Sequence, residues 1–122
     1  MLIKNLYEIR SFNQEENRIR AVIFLHKEHD IFKGHFPGNP IMPGVCMIQI
    51  IKELAEKSIG KEIFLRRSSN IKFMAIINPE KDPLINLEIE ISSDEDQVKV
   101  KAVALAKEVP ALKLSAEFEV LA

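Results

Sequence analysis

One histidine in this chain lies in a setting that suits acid–base chemistry. His35 stands in the segment from Gly34 to Gly44, which contains three prolines and three glycines. Because each proline fixes its φ angle and disfavours a helix, this segment is predicted to be a rigid loop. Imidazole titrates near neutral pH, so a histidine held in such a loop can remove a proton from a bound ligand.

A helix is predicted to begin where this loop ends. From Gly44 to Ile59 the apolar residues follow helical spacing, and Gly60 occupies the position of a C′ glycine. The first N–H groups of a helix lack intrahelical partners, and the dipole there is positive. A ligand oxygen placed at Gly44 would therefore meet a ready donor, and glycine permits its close approach.

Strands are predicted on both sides of this helix. Ile3–Phe12 and Ile19–Leu25 form a predicted hairpin across the polar turn Asn13–Asn17. Four strands follow the helix, at about 63–73, 85–91, 98–106 and 112–120, and the short polar turns between the last three predict antiparallel neighbours. An apolar helix must bury its surface, and a sheet that curls around it is the simplest solution.

The loop and the helix start carry a family resemblance. Gly34 to Val45 reads G-H-F-P-G-N-P-I-M-P-G-V, which resembles the G-H-F-P-G-x-P-x-x-P-G-V signature of the 3-hydroxyacyl-acyl-carrier-protein dehydratases. Lys72-Phe73 followed by Pro79 resembles that family's basic-Phe pair and downstream proline. The resemblance implies an α+β hot-dog fold, with an antiparallel sheet wrapped around one central helix. We expect a single domain over residues 1–122, somewhat shorter at the N-terminus than typical members.

The same resemblance implies a reaction and its residues. Water would be eliminated from a (3R)-3-hydroxyacyl thioester to give the trans-2-enoyl form, in fatty acid synthesis or a related lipid or polyene pathway. His35 would be the base and Gly44 the donor to the thioester oxygen. The substrate would contact Phe36, Pro37, Gly38, Pro43 and Val45. The resemblance implies an acyl carrier protein as partner, no metal and no cofactor.

The chain departs from the family at the expected acid. The family places an acidic residue fourteen positions after the histidine, and that position is Gln49 here. Glutamine can hydrogen-bond to the substrate hydroxyl but cannot protonate departing hydroxide. Glu53, four residues on and on the same helix face, either reaches the same pocket or lies on the surface beside Lys52. The family commonly places a glutamine four residues after the acid, so the acid and the glutamine have exchanged positions in this chain.

Three functions therefore stay open. The first is a dehydratase. The second is a non-catalytic or half-active subunit that pairs with an active paralogue, since the resemblance implies sites shared between two subunits, with the histidine from one and the acid from the other. The third is a hot-dog thioesterase, which the G-H-F-P-G run fits poorly. In each case we expect a homodimer, a higher homo-oligomer or a heterodimer, because an unpaired sheet edge is a liability.

Composition excludes several other classes. The 17 basic and 18 acidic residues leave a net charge of −1, which argues against nucleic-acid binding. Cys46 is the only cysteine, which suits a reducing cytoplasm, and the N-terminal residues do not resemble a signal peptide.

The spacing of His26, His29 and His35 is a weak signal for a metal site. Arg66, Arg67 and Lys72 lie on one predicted strand, and Arg66 and Lys72 share parity and so one face. These basic residues either receive the acidic carrier protein that the resemblance implies or form a solvated strand face.

Overall fold

Six strands and one long helix make up the part of the chain that the computed structural model describes, which is residues 5–32 and 41–121. The elements are β1 (Tyr7–Glu15), β2 (Arg18–Leu25), a short 3₁₀ helix (Asp30–Phe32), α1 (Gly44–Ile59), β3 (Ile63–Phe73), β4 (Leu84–Asp94), β5 (Gln97–Ala106) and β6 (Val109–Val120). The predicted α+β architecture, an antiparallel sheet with one central helix, is confirmed.

All pairs in the sheet are antiparallel, and the strand order is β1-β2-β4-β5-β6-β3. The hairpin turns are tighter than predicted: β1 continues to Glu15 and β4 to Asp94, so the expected five-residue turns are wrong in length. Positive φ angles at Glu16 (55°) and Glu95 (56°) allow the chain to reverse within two residues.

The helix α1 has the predicted bounds. Gly60 ends it with φ 72°, and its N–H donates to Glu56 O at 2.8 Å, which is an αL cap that glycine adopts without strain. The helix buries one apolar face, made of Cys46, Met47, Ile50, Ile51, Leu54 and Ala55, against the sheet. Among the described residues, no helix is long and apolar enough to cross a membrane.

The strand β3 is the least buried of the six described strands. Only Ile63 in it is fully buried, and β3 pairs with β6 alone, so its other edge has no strand beside it among the described residues. The β3–β6 register shifts between Leu65 and Arg67 and again between Ser68 and Asn70. These two irregularities change which side chains share a face, because each extra residue reverses the alternation.

Candidate active site

The start of α1 carries backbone N–H donors that have no partner among the described residues. Pro43 precedes the helix in an extended conformation, with φ −63° and ψ 140°, and no side chain of the described residues caps this end. The N–H groups of Cys46 and Met47 both donate to Pro43 O, at 3.1 and 3.4 Å. The N–H groups of Gly44 and Val45 come before these bonds and point out of the helix end, where they can receive an oxygen from a ligand.

Gly44 lies directly under an aromatic ring from β3. A Cβ atom built on Gly44 would lie 2.6 Å from Phe73 Cζ and nearer still to Cε1, well inside van der Waals contact. Phe73 itself is 61% exposed, so its ring covers the helix start from the outside. The ring leaves no room for a side chain at position 44 unless the ring moves. Gly44 and Phe73, which belong to two separate parts of the family resemblance, are therefore in contact.

We expect Gly44→Ala to lower the free energy of unfolding by about 1 kcal/mol, because overpacking costs roughly 1–3 kcal/mol and an exposed ring can partly move aside. Urea unfolding measures this. In a Phe73→Ala background the same substitution should be neutral or stabilising, since alanine is the better helix former. Equal losses in both backgrounds would show that Phe73 is not what excludes a side chain at Gly44.

The end of the Gly/Pro loop is anchored to the segment after β3. Met42 is buried, and its N–H donates to the carbonyl of buried Ile77 at 2.8 Å. Pro43 is half-buried and Val45 is 74% exposed. The predicted site residues His35, Phe36, Pro37 and Gly38 lie outside the described residues.

Gln49 and Glu53 form a hydrogen-bonded pair along α1. Both side chains are half-buried, and Gln49 Nε2 donates to Glu53 Oε2 at 3.0 Å. The other carboxylate oxygen, Oε1, accepts a hydrogen bond from the Tyr7 hydroxyl at 2.7 Å. Glu53 is therefore held between a strand and the helix and is only partly exposed, whereas one of the two sequence interpretations placed it on the surface beside Lys52.

Tyr7 is a member of this cluster that sequence reasoning missed. It is 46 residues from Glu53, lies on β1 and is only 6% exposed. Burial, followed by the hydrogen bond and the charge of Glu53, raises the pKa of Tyr7 above its ordinary value, so the phenol stays protonated and donates. The only available signal was that Tyr7 is the single tyrosine of the chain.

The basic residues of β3 do not follow the predicted alternation. Arg66 forms an ion pair with Glu119, and Arg67 pairs with Glu117 at 3.1 Å. Glu117 and Glu119 are two residues apart on β6 and share a face, so the bulge brings two consecutive arginines to one side of the sheet. Both arginines already have an acidic partner within the chain, which lowers the free positive charge for a carrier protein.

The described histidines have local contacts. The ring of His26 packs edge-on against Phe24 with centroids 5.6 Å apart, and His29 Nδ1 accepts the N–H of Ile31 at 3.0 Å. Within residues 5–32 and 41–121, no group of three His, Cys, Asp or Glu side chains is placed to hold a metal ion. Cys46 is buried, and this burial raises the pKa of its thiol, as expected for a small apolar core residue.

The comparison with known families is decisive over most of the chain. The family profile named ApeI-like, with the description ApeI dehydratase, matches residues 11–110. The chain belongs to the ApeI-like dehydratase family. This match spans the loop, the whole of α1 and the first five strands except for the start of β1.

Curated relatives of this ApeI-like chain are 3-hydroxyacyl-[acyl-carrier-protein] dehydratases named FabZ. The protein from Clostridium acetobutylicum is 41% identical over 81 residues, which are 61% of this chain and 52% of the relative. The protein from a Caulobacter species is 35% identical over 83 residues, which are 60% of this chain and 50% of the relative. The chain thus spans about half the length of the curated relatives it matches.

A solved structure extends the likeness to the whole fold. The dehydratase heterocomplex ApeI:P from Xenorhabdus doucetiae contains a chain that matches with a TM-score of 0.75 and 18% identity, over 92% of this chain and 96% of that chain. With the strand order and the central helix, this establishes the hot-dog fold for the ApeI-like chain.

Proposed function

We propose that this chain acts in the dehydration of (3R)-3-hydroxyacyl groups carried on an acyl carrier protein. The observation that carries the proposal is that α1 presents two features of the proposed site, the backbone donors at its start and the side chain of Gln49. The helix opens at Gly44, under Phe73, with N–H donors that have no partner in residues 5–32 and 41–121, and Gln49, at the family's acid position, is half-buried about one and a half turns further along. Membership of the ApeI-like family and the FabZ relatives support the same reaction class.

In this proposal the thioester oxygen is received by the N–H groups at the start of α1. Removal of a proton from the α-carbon moves negative charge onto that oxygen, and preorganised donors stabilise it as it develops. His35 is the proposed base. The electron pair released at the α-carbon forms the double bond, and the 3-hydroxyl leaves as hydroxide, which must be protonated to give water.

Protonation of the departing hydroxide is the step for which this chain lacks the expected acidic residue. Gln49 has no proton to give, and the loss of a general acid typically slows such a reaction by about 10²–10⁴-fold. Glu53 is a poor substitute in the observed arrangement, because both of its oxygens accept hydrogen bonds. A proton on Oε2 would face the Gln49 amide nitrogen, which cannot accept it.

A second candidate follows from this observation: a subunit that completes its site with an active paralogue. The paralogue would contribute the acid, and this chain would contribute His35 and the helix end. The similarity to a chain of the ApeI:P heterocomplex is in keeping with this arrangement. A thioesterase gains no support from the fold, which hot-dog proteins of several activities share.

The experiment compares the purified chain alone and mixed with any dehydratase-like paralogue from the same organism. The substrate is 3-hydroxyacyl-acyl-carrier protein, with the (3S) isomer as the control, and intact-protein mass spectrometry records the loss of one water. We expect slow (3R)-specific dehydration alone or fast dehydration on mixing. Release of the free acid would point to a thioesterase, and no reaction in any mixture would contradict both candidates.

We also propose that the smallest stable unit is a dimer formed through β3. This strand has one unpaired edge among the described residues and exposes Phe64 (38%), Leu65 (44%) and Phe73 (61%). An exposed edge strand of eleven residues that carries these three apolar side chains is a liability unless it is paired. Light scattering at micromolar concentration should therefore give a dimer mass or more.

The variant Leu65→Lys is expected to weaken this dimer, because lysine on an edge strand opposes pairing. Val109→Lys is the matched control, since Val109 is 55% exposed but lies in the β5–β6 hairpin, away from the free edge. A stable monomer for the wild type, or equal loss of dimer in both variants, would contradict an interface at β3.

A further inference from the structure

The Tyr7–Glu53–Gln49 cluster determines which way the Gln49 amide faces. Glu53 Oε2 can only accept in its ionised form, so the Gln49 atom next to it must be the donor Nε2, as observed at 3.0 Å. The reversed amide would place two oxygens in contact, which is repulsive. The amide oxygen Oε1 is thereby turned away from Glu53, and none of the described residues hydrogen-bonds to it.

Glu53 in turn is held by Tyr7. The hydroxyl lies on a buried side chain of β1, and its bond to Glu53 Oε1 at 2.7 Å joins the strand to the helix. A half-buried carboxylate requires such donors, because an unpaired charge is costly to desolvate. Without the hydroxyl the carboxylate would be free to rotate towards solvent, and it would no longer hold the Gln49 amide in one orientation.

We infer that Tyr7 is a positioning residue which, through Glu53, presents the Gln49 amide oxygen as a hydrogen-bond acceptor for the 3-hydroxyl of the bound acyl chain. This rests on the proposed function, since it takes the ligand to lie against Gln49. The consequence is a specificity: the site selects ligands that can donate a hydrogen bond at carbon 3. The cluster recognises the hydroxyl as a donor, whereas an acid at position 49 would protonate it.

Binding of stable analogues tests the inference without turnover. The probes are acyl pantetheine amides, with nitrogen in place of the thioester sulfur, that carry a hydroxyl, a fluorine or only hydrogen at carbon 3. Fluorine is close to hydroxyl in size but cannot donate. We expect the wild type to bind the 3-hydroxy probe about twofold to tenfold more tightly than the 3-fluoro probe, the range for one neutral hydrogen bond.

Tyr7→Phe removes one oxygen atom and should reduce this preference to near unity. Ser58→Ala is the matched control, because it removes another β1–α1 hydrogen bond, from Ser58 Oγ to Gln14 Oε1 at 2.9 Å, more than one turn beyond Glu53. It should keep the full preference. Glu53→Gln, measured in parallel, should also lose the preference, since an amide at position 53 no longer dictates the orientation of Gln49.

NMR spectroscopy gives a second, direct measurement of the orientation of the Gln49 amide. The side-chain amide ¹⁵N–¹H signals of Gln49, assigned by their absence in Gln49→Leu, should shift in Tyr7→Phe and stay in place in Ser58→Ala. Unchanged signals and an unchanged probe preference in Tyr7→Phe would overturn the inference while leaving the proposed function intact. Shifted signals with no binding of any probe would instead contradict the proposed function.

Discussion

Replacing Gln49 with glutamate is expected to raise the rate of dehydration by the isolated chain about 10²–10⁴-fold, the usual contribution of a general acid. The loop, the helix-end donors and the half-buried position on α1 are otherwise those of the proposed site. Glu53 strengthens the expectation, because one of its oxygens lies 3.0 Å from the atom that the new carboxyl group would replace. Two carboxyl groups this close retain a shared proton more readily than either alone.

The double variant Gln49→Glu/Glu53→Gln is the control for the origin of that proton. This double variant restores the family's order of acid and glutamine on α1. It should also dehydrate the substrate, although the carboxylate of Glu53 is no longer beside the new acid. Both rates are measured on one carrier-bound 3-hydroxyacyl substrate by mass spectrometry. If Glu53→Gln alone abolished an appreciable wild-type rate, and Gln49→Glu added nothing, Glu53 would be the acid after all.

The variant His35→Ala is expected to remove turnover, with a loss of about 10²–10⁴-fold for the missing base, while thermal stability stays nearly unchanged. The measurement is best made in the Gln49→Glu background, where the rate is high enough to quantify the loss. Thermal unfolding of the same samples separates a chemical defect from a folding defect.

The control for this prediction is His26→Ala. His26 is half-buried and packs against Phe24, and it lies in the turn after β2 rather than in the Gly/Pro loop. Turnover should survive its loss. Retained turnover in His35→Ala, or an equal loss in both variants, would show that His35 is not the base.

The local elements could be predicted from the sequence because their signals are local. The bounds of α1 follow from the apolar spacing between Gly44 and Ile59 and from Gly60, whose φ of 72° a glycine adopts most readily. The clean alternation from Ile85 to Ile91 identified β4 and its buried face. The predicted turns are too wide, because Glu16 and Glu95 adopt positive φ angles and the residue type glutamate does not indicate such an angle.

The strand β3 shows where alternation alone fails. Its residues give mixed faces when read with a period of two, and that reading separated Arg66 from Arg67. The first of the two bulges, between Leu65 and Arg67, brings both arginines to glutamates of β6. A bulge depends on the partner strand, and the partner of β3 is β6, the last strand along the chain, whose paired glutamates lie 50 and 53 residues beyond the arginines, so no local signal could place it.

The sequence by itself determined the family signature, the identity of the residue at the acid position and the elements that carry both. Only the tertiary structure decided what surrounds them. It placed Phe73 over Gly44, and it brought Tyr7 across 46 residues to Glu53, so that Gln49 is held in one orientation. The physical reason is that spacing along a helix or strand is set by local backbone geometry, whereas a hydrogen bond between distant elements depends on how the whole sheet curls around the helix.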